Sequence, residues 1–548
     1  MLDTQTFDRI AYAARMRANG WWSNRSIDSL VAEAVRRFPT KDALVAYRAD
    51  RPDRPVRRFT FAQLGDAIGR AAAALRGLGV GAGDVVAVQL PNWWEFAIVA
   101  LAAGRIGAIV NPLMPILRER ELSFMLALSE AKVLVVPQVF RGFDHEALGQ
   151  ALRAKLPTLK HVIVVDGAGD NDFERVLLAG AQTLPASDNV TQEPHQAEQL
   201  AVIMFTSGTS GEPKGVMHSC NSLVACIKGL QARFQLKESD VILACSPLGH
   251  MTGYAASLLQ GLCLGMTVVL LDVWDADQAV SIMNDEKVTH TAAATPFLAD
   301  ICEAVSAGAP NPRLRTFLCA GATIPPVLID RALRELDLPV SSLWGMTESL
   351  SSTLTEPSRA REKSSSTDGC PLDGVEVRVV DNEGVPLPIG QTGRLLVRGA
   401  QMFMGYYKRP DLPTFDADGW FDTGDLAYAD SDGYIRINGR AKDVLIRGGE
   451  NVPVVEIESL LYQHPAVSAA ALVGFPDKRL GERGCAFVML RPGMNFELSE
   501  LRRYMEECKV AKPYWPERIE IVEQLPRTAS GKIQKFVLRE RAKAFGNV

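Results

Sequence analysis

The chain lacks the features that announce a metal module, a disulfide scaffold or a nucleic-acid surface. Its 9 cysteines form no CxxC pair and no regular framework, so they read as reduced, partly buried thiols. The 7 histidines are scattered without HExxH spacing, and no structural metal is expected. With 59 basic and 64 acidic residues the net charge is -5, which excludes a polycationic footprint; no nucleic acid is expected, and any phosphate site must be local. The opening "MLDTQTFDRIAYAARMRANGWW" lacks the apolar centre of a signal peptide, so a cytoplasmic location is expected. The most apolar stretch, "WWEFAIVALAAGRIGAIVNPLMPIL", is interrupted by Glu95, Arg105 and Asn111. It predicts a buried helix followed by a strand, not a transmembrane segment. No internal repeat or low-complexity tract is visible.

What is present is core-forming material on the scale of several domains: 548 residues, 47% hydrophobic and 22% charged. "FTFAQLGDAIGRAAAALRGLGVGAGDVVAVQLPN" and "WDADQAVSIMNDEKVTHTAAATPFLADICEAV" each couple an amphipathic helix to a short β-branched run. After residue 370, "GVEVRVVDNEGVPLPIGQTGRLLVRG" alternates with turn signals and predicts an antiparallel β module. "EKSSST" at 362–367 is expected to be a mobile loop. The texture changes again near Arg440 to Asp443. The fold class expected is α/β plus α+β. A large N-terminal domain, residues 1–440, has doubly wound α/β layers and a β-barrel-like module, and a small mobile C-terminal domain spans residues 441–548.

Five segments carry chemistry. "FTSGTSGEPKG" at 205–215 joins glycines, hydroxyls and one lysine after the apolar run "LAVIMF". Glycine allows close backbone approach and the donors suit phosphate oxygens, yet Lys214 precedes Gly215, so this is not a Walker A loop. "LWGMTES" at 343–349 offers Trp344 to stack a base, Thr347 to hydrogen-bond and Glu348 to hold Mg²⁺. "DGWFDTGD" ends in Asp425, an acceptor suited to ribose hydroxyls. "GRAKDVLIRGGEN" at 439–451 suits a hinge, and "LPRTASGKIQKF" at 525–536 sets Lys532 in a polar turn, a mobile point charge. His250 in "SPLGHMTGY" is either a base or satisfied structure. On its own, each segment also fits an ordinary turn, linker or surface lysine.

Taken in order and spacing, the five resemble the acyl-adenylate-forming superfamily of acyl-CoA synthetases, aryl-CoA ligases, luciferases and peptide-synthetase adenylation domains. The likeness runs from "SLVAEAVRRFPTKDALV" to "KIQKFVLRE". It implies ATP, Mg²⁺ and coenzyme A as co-reactants of a small carboxylic acid. It implies that Thr206, Ser207, Gly208, Thr209 and Lys214 hold the ATP phosphates, and that Trp344 stacks on adenine beside Gly321 and Ala322. Thr347 would contact the α-phosphate, Glu348 the Mg²⁺, and Asp425 and Arg440 the ribose. Lys532 would be the adenylation lysine. Lys442 falls at the hinge, where many members have Asp, and Gly448 and Gly449 lie on the CoA side. His250 would shape or gate the acyl pocket.

In acetate-using relatives a tryptophan follows the adenine-stacking aromatic; here it is Gly345, which with Gly253, Ala255, Ala256 and the one Tyr254 implies a roomier acyl pocket. Similarity to bacterial short- and medium-chain acyl-CoA synthetases and to cyclohexanecarboxylate-CoA ligases makes cyclohexanecarboxylate or a similar alicyclic acid the expected substrate. The alternatives are a short- or medium-chain fatty acid, an acyl-AMP ligase loading a carrier protein, and a non-catalytic nucleotide-binding scaffold. "PRTASGK" resembles the pattern at which a protein acetyltransferase, opposed by a deacetylase, silences such enzymes through Lys532. A homo-oligomer is compatible with the sequence.

Overall fold

The computed structural model describes residues 7–49, 56–180, 182–184, 197–206, 212–321, 324–441, 445–447, 450–527 and 533–547. Two large sheets form the frame. In the first, nine strands run Cys370–Pro371, Leu350–Leu354, Val340–Met346, Thr316–Cys319, His290–Ala293, Val241–Ala244, Thr267–Leu271, Asp42–Tyr47 and Arg57–Thr60. Its interior is parallel and its two ends antiparallel. The second has seven strands, with a parallel set around Val85–Val88 and an antiparallel end made by Leu200–Thr206, Lys214–Ser219 and Gly405–Tyr406.

The alternation of apolar residues explains how these sheets stack. Within Val85–Val88, Val86 and Val88 join the central core while Val85 and Ala87 join an outer one, as a two-residue side-chain period requires. Strands Asp42–Tyr47 and Val241–Ala244 divide in the same way, Leu44 and Ile242 facing inward, Val45 and Leu243 outward. Helices Phe61–Gly77, Trp94–Arg105 and Cys220–Phe234 supply the central layer between the sheets. A capping box fixes the first of them: Gln63 N–H donates to Thr60 Oγ1 at 3.3 Å, and Thr60 N–H donates to Gln63 Oε1 at 2.9 Å. Helices Ala276–Asp285, Thr295–Ser306 and Pro326–Leu336 cover one outer face; Glu119–Ser129 and His145–Lys155 cover the other. The result is the doubly wound α/β arrangement expected.

The antiparallel module is a four-stranded sheet of Val375–Val380, Gly393–Gly399, Phe421–Ala429 and Ile435–Arg440, whose Val379, Leu395, Ala427 and Ile435 extend the central core. Its last strand ends at Arg440, and the next described strand, Leu445–Arg447, belongs to a five-stranded sheet with helix Val454–Gln463 and its own cores. Lys442 lies outside the described residues. The stretch 362–367 is not the mobile loop expected. Ser364 is fully buried, Ser342 Oγ donates to its carbonyl at 2.7 Å, and Thr367 Oγ1 donates to Lys363 O at 2.8 Å. Thr367 and Ser366 both donate to the Lys363 carbonyl, tying the stretch to its own backbone. No described helix is long and apolar enough to cross a membrane.

His290 shows what burial does to a titratable group here. It is fully buried, its Nδ1 pairs with Thr316 Oγ1, and burial, with Arg315 nearby, pushes its pKa down to about 3. A folded-state pKa below the unfolded value means the unfolded chain binds the extra proton, so this contribution is complete above about pH 6.5 and is lost as pH falls toward 3. In His290→Asn, which keeps a donor near Nδ1, the fall of stability between pH 6 and 4 should be shallower than in the wild type by about 1.4 kcal/mol per pH unit. Urea unfolding at a series of pH values measures this, and identical slopes would contradict it.

Candidate active site

A cleft of about 2420 Å³ opens where the ends of both large sheets, the antiparallel module and the C-terminal unit meet. Its most constrained wall is the turn joining Val340–Met346 to Leu350–Leu354. Pairing runs Trp344 with Thr353, then shifts at a bulge so that Gly345 faces Ser351 and Met346 faces Leu350. Ser349 N–H closes the turn on Met346 O at 3.1 Å. Leu350 is held at φ +53°, a left-handed conformation costly for a bulky residue. A Cβ at position 345 would lie 1.9 Å from Leu350 O. Gly345 does line the cleft, yet its lack of a side chain is dictated by this hairpin.

The turn presents Thr347 and Glu348 to the cleft. Glu348 is 7% exposed, and Tyr406 Oη donates to its Oε1 at 2.9 Å. Burial pushes the Glu348 carboxyl above the ordinary carboxylate range, opposed by the Tyr406 hydrogen bond and the charges of Arg440 and Lys214. Lys214 Nζ stands 5.0 Å from the centre of the Tyr406 ring, on the strand paired with Gly405–Tyr406. A cation, a phenol and a carboxylate therefore stand in a row across two sheets.

Asp425 is 5% exposed and has a donor on each oxygen: Trp344 Nε1 at 2.8 Å and Arg440 Nε at 2.9 Å. Trp344, Asp425 and Arg440 thus come together in the cleft, with Trp344 anchored by its indole N–H. Gly321, at φ +86°, and Thr206 also line it. Thr206 pairs with Lys214 across an antiparallel register. Ser207, Gly208, Thr209, Ala322, Gly448, Gly449 and Lys532 lie outside the described residues. The residues on either side of 528–532 are joined, since Arg527 and Ile533 form a β-bridge and both line the cleft.

His250 caps helix Met251–Gly253, its Nδ1 accepting from Thr252 N–H at 3.3 Å, and lines the cleft. Two acyl-pocket expectations are corrected. Gly253 does not line it: a Cβ there would lie 2.3 Å from Pro247 O, so glycine serves backbone packing. Tyr254 is 3% exposed and packs edge-on against Phe96 in the central core. Ala255 and Ala256 line the cleft as expected, together with Thr252, Cys226, Leu343 and Ser351. Reading the sequence missed Cys226, Tyr406 and His218. No local signal marked them, since each meets its partner across a long separation in the chain.

A divalent cation fits this donor set. Glu348 is a desolvated carboxylate at the cleft, and Mg²⁺ at phosphates uses one or two carboxylates, with substrate oxygens completing its shell. Among the described residues no cluster of three or more His, Cys, Asp or Glu would hold a metal unaided.

Residues 31–407 match the AMP-binding enzyme family, and residues 456–532 match the AMP-binding enzyme C-terminal domain. A medium-chain fatty-acid–CoA ligase of Escherichia coli (strain K12) is 35% identical over 542 residues, covering 98% of this chain and 94% of that protein. A 2-hydroxy-7-methoxy-5-methyl-1-naphthoate–CoA ligase of Streptomyces carzinostaticus is 34% identical over 541 residues, covering 97% and 95%. The crystal structure of ATP-bound MatB from Rhodopseudomonas palustris superposes with a TM-score of 0.83 at 26% identity, covering 95% of this chain and 100% of that one. Sequence, fold and the convergence of Thr347, Glu348, Asp425 and Lys214 on one cleft agree: the chain belongs to the AMP-binding enzyme family.

Proposed function

We propose that this chain is an ATP-dependent acid–CoA ligase that converts a medium-size apolar carboxylic acid, cyclohexanecarboxylate or a similar alicyclic acid, to its acyl-CoA through an acyl-AMP. The observation that carries it is the small, uncharged wall of Ala255, Ala256, Cys226 and Leu343 beside the Thr347–Glu348 turn. Each methylene buried on such a wall contributes about 0.8 kcal/mol, whereas a charged substituent would find no partner among these four side chains. A medium-chain fatty acid is the second reading, favoured by the 35% identity to the Escherichia coli ligase.

In the first half-reaction a carboxylate oxygen of the acid attacks the α-phosphorus of ATP, and the bond to the bridging oxygen breaks to release pyrophosphate. Thr347 holds the α-phosphate, Lys214 and the segment before it hold the leaving phosphates, and Asp425 and Arg440 hold the ribose. Glu348 would hold Mg²⁺, which when bound would neutralise charge at the phosphates. Lys532 meets the charge developing at the reacting oxygens. In the second half-reaction the thiol sulfur of coenzyme A attacks the acyl carbon, AMP leaves and the thiol proton is lost. Withdrawal of Lys532 by rotation about Lys442 clears that approach.

Pyrophosphate release with ATP, Mg²⁺ and CoA should be faster with cyclohexanecarboxylate than with benzoate or acetate. Preference for straight chains from hexanoate to decanoate would select the second reading, and release independent of any acid would contradict both. Lys532→Ala should lower acid-dependent ATP–pyrophosphate exchange by about 10²- to 10³-fold, the usual cost of removing one charge-stabilising donor. Retention of wild-type exchange would remove Lys532 from the mechanism.

The two small-residue positions should respond differently. Ala256→Leu should shorten the accepted acid with little loss of thermal stability. Gly345→Ala should lower the melting temperature and reduce activity toward every acid, because its Cβ meets the Leu350 carbonyl. A Gly345→Ala enzyme of unchanged stability that merely prefers smaller acids would show that the hairpin yields.

A further inference from the structure

His218 is fully buried on the strand Lys214–Ser219, and its ring joins three elements. Nε2 lies 2.7 Å from the carbonyl oxygen of Thr347, and Nδ1 lies 3.0 Å from Ser222 Oγ on helix Cys220–Phe234. A carbonyl only accepts, so Nε2 carries the hydrogen; Nδ1 then faces the Ser222 hydroxyl, whose one proton is shared with the Ser219 carbonyl at 3.0 Å. Burial pushes the His218 pKa down to about 4, which keeps this neutral tautomer near neutral pH.

Side chains two apart on a strand share a face, so Lys214, Val216 and His218 point the same way. One strand thereby reaches the turn at two places. His218 holds the Thr347 backbone, and Lys214 lies over Tyr406, whose hydroxyl holds the Glu348 side chain. The turn needs such support. Ser349 N–H bonds Met346 O, Ser352 Oγ donates to Ser349 O at 3.2 Å and Phe403 N–H holds Glu348 O at 2.8 Å, so the Thr347 carbonyl is the one that His218 secures, beside a Leu350 whose conformation persists only when its surroundings over-determine it.

We propose that His218 is a positioning residue for adenylation: its Nε2–H fixes the Thr347 carbonyl so that the Thr347 hydroxyl and Glu348 carboxylate stand in register with Lys214. This rests on the reading that Thr347 and Glu348 act on ATP. No bond is made or broken at His218, and it acts through the turn.

The test is ATP–pyrophosphate exchange with octanoate and cyclohexanecarboxylate. A Gln amide nitrogen falls near the Nε2 position of histidine, while that of Asn falls near Nδ1. His218→Asn should lose about 10²-fold in kcat, the effect of a displacement near 1 Å at a reacting centre. Its KM for ATP should stay within about threefold of wild type, since the missing interaction acts in the transition state. His218→Gln should recover kcat to within about tenfold of wild type. Equal losses in Asn and Gln that follow a shared fall in melting temperature would overturn the proposal, as would wild-type kcat in His218→Asn. If the Asn variant does not fold, His218→Met takes its place with the same outcomes. A wild-type enzyme that folds but shows no acid-dependent exchange would overturn the functional reading, and this one with it; a loss confined to the variants keeps the two separate.

Discussion

The carboxylate of Asp425 ties the site together. Withdrawn from water, it is tolerable only because each oxygen has a donor, and those donors come from different places: Trp344 on the third strand of the nine-stranded sheet and Arg440 where the antiparallel module ends. Losing either donor leaves a buried charge half-satisfied, so the relative placement of sheet and module is tied to one side chain. Tyr406 repeats the device on the other flank, joining the seven-stranded sheet to Glu348. The bulged hairpin between them is strained at Leu350 and is held from both sides, which is how a costly backbone conformation persists at a working surface.

Much of this was legible in the sequence because it is local. Strand and helix periods gave the layers, with the helices and strands of the two longest patterned stretches falling where their apolar spacing put them. Thr347, Glu348, Asp425 and Arg440 were reached through the order and spacing of the five segments, since each segment alone also fits an ordinary turn or linker. Tyr406 and His218 were not, since each acts through a partner far away in the chain: Tyr406 on Glu348, His218 on Thr347. Nothing local distinguishes a buried histidine that grips a carbonyl from one that fills a core.

The glycines teach the opposite lesson. Gly345 and Gly253 looked like space left for a substrate, and both turn out to be places where another backbone comes within reach of a Cβ. A missing side chain marks either a cavity or a close approach, and sequence alone does not separate the two. Ala255 and Ala256, small residues with a Cβ, do line the cleft.

The loop that opens with Thr206 ends on an antiparallel strand, not on a helix. Helix Cys220–Phe234 begins only after that strand, about 20 Å further on at some 3.3 Å per residue, where its dipole is too distant to matter. Among the described residues of this segment, the charge offered to the cleft is that of Lys214, without a helix field behind it. That charge stands at an open cleft, where salt screens it.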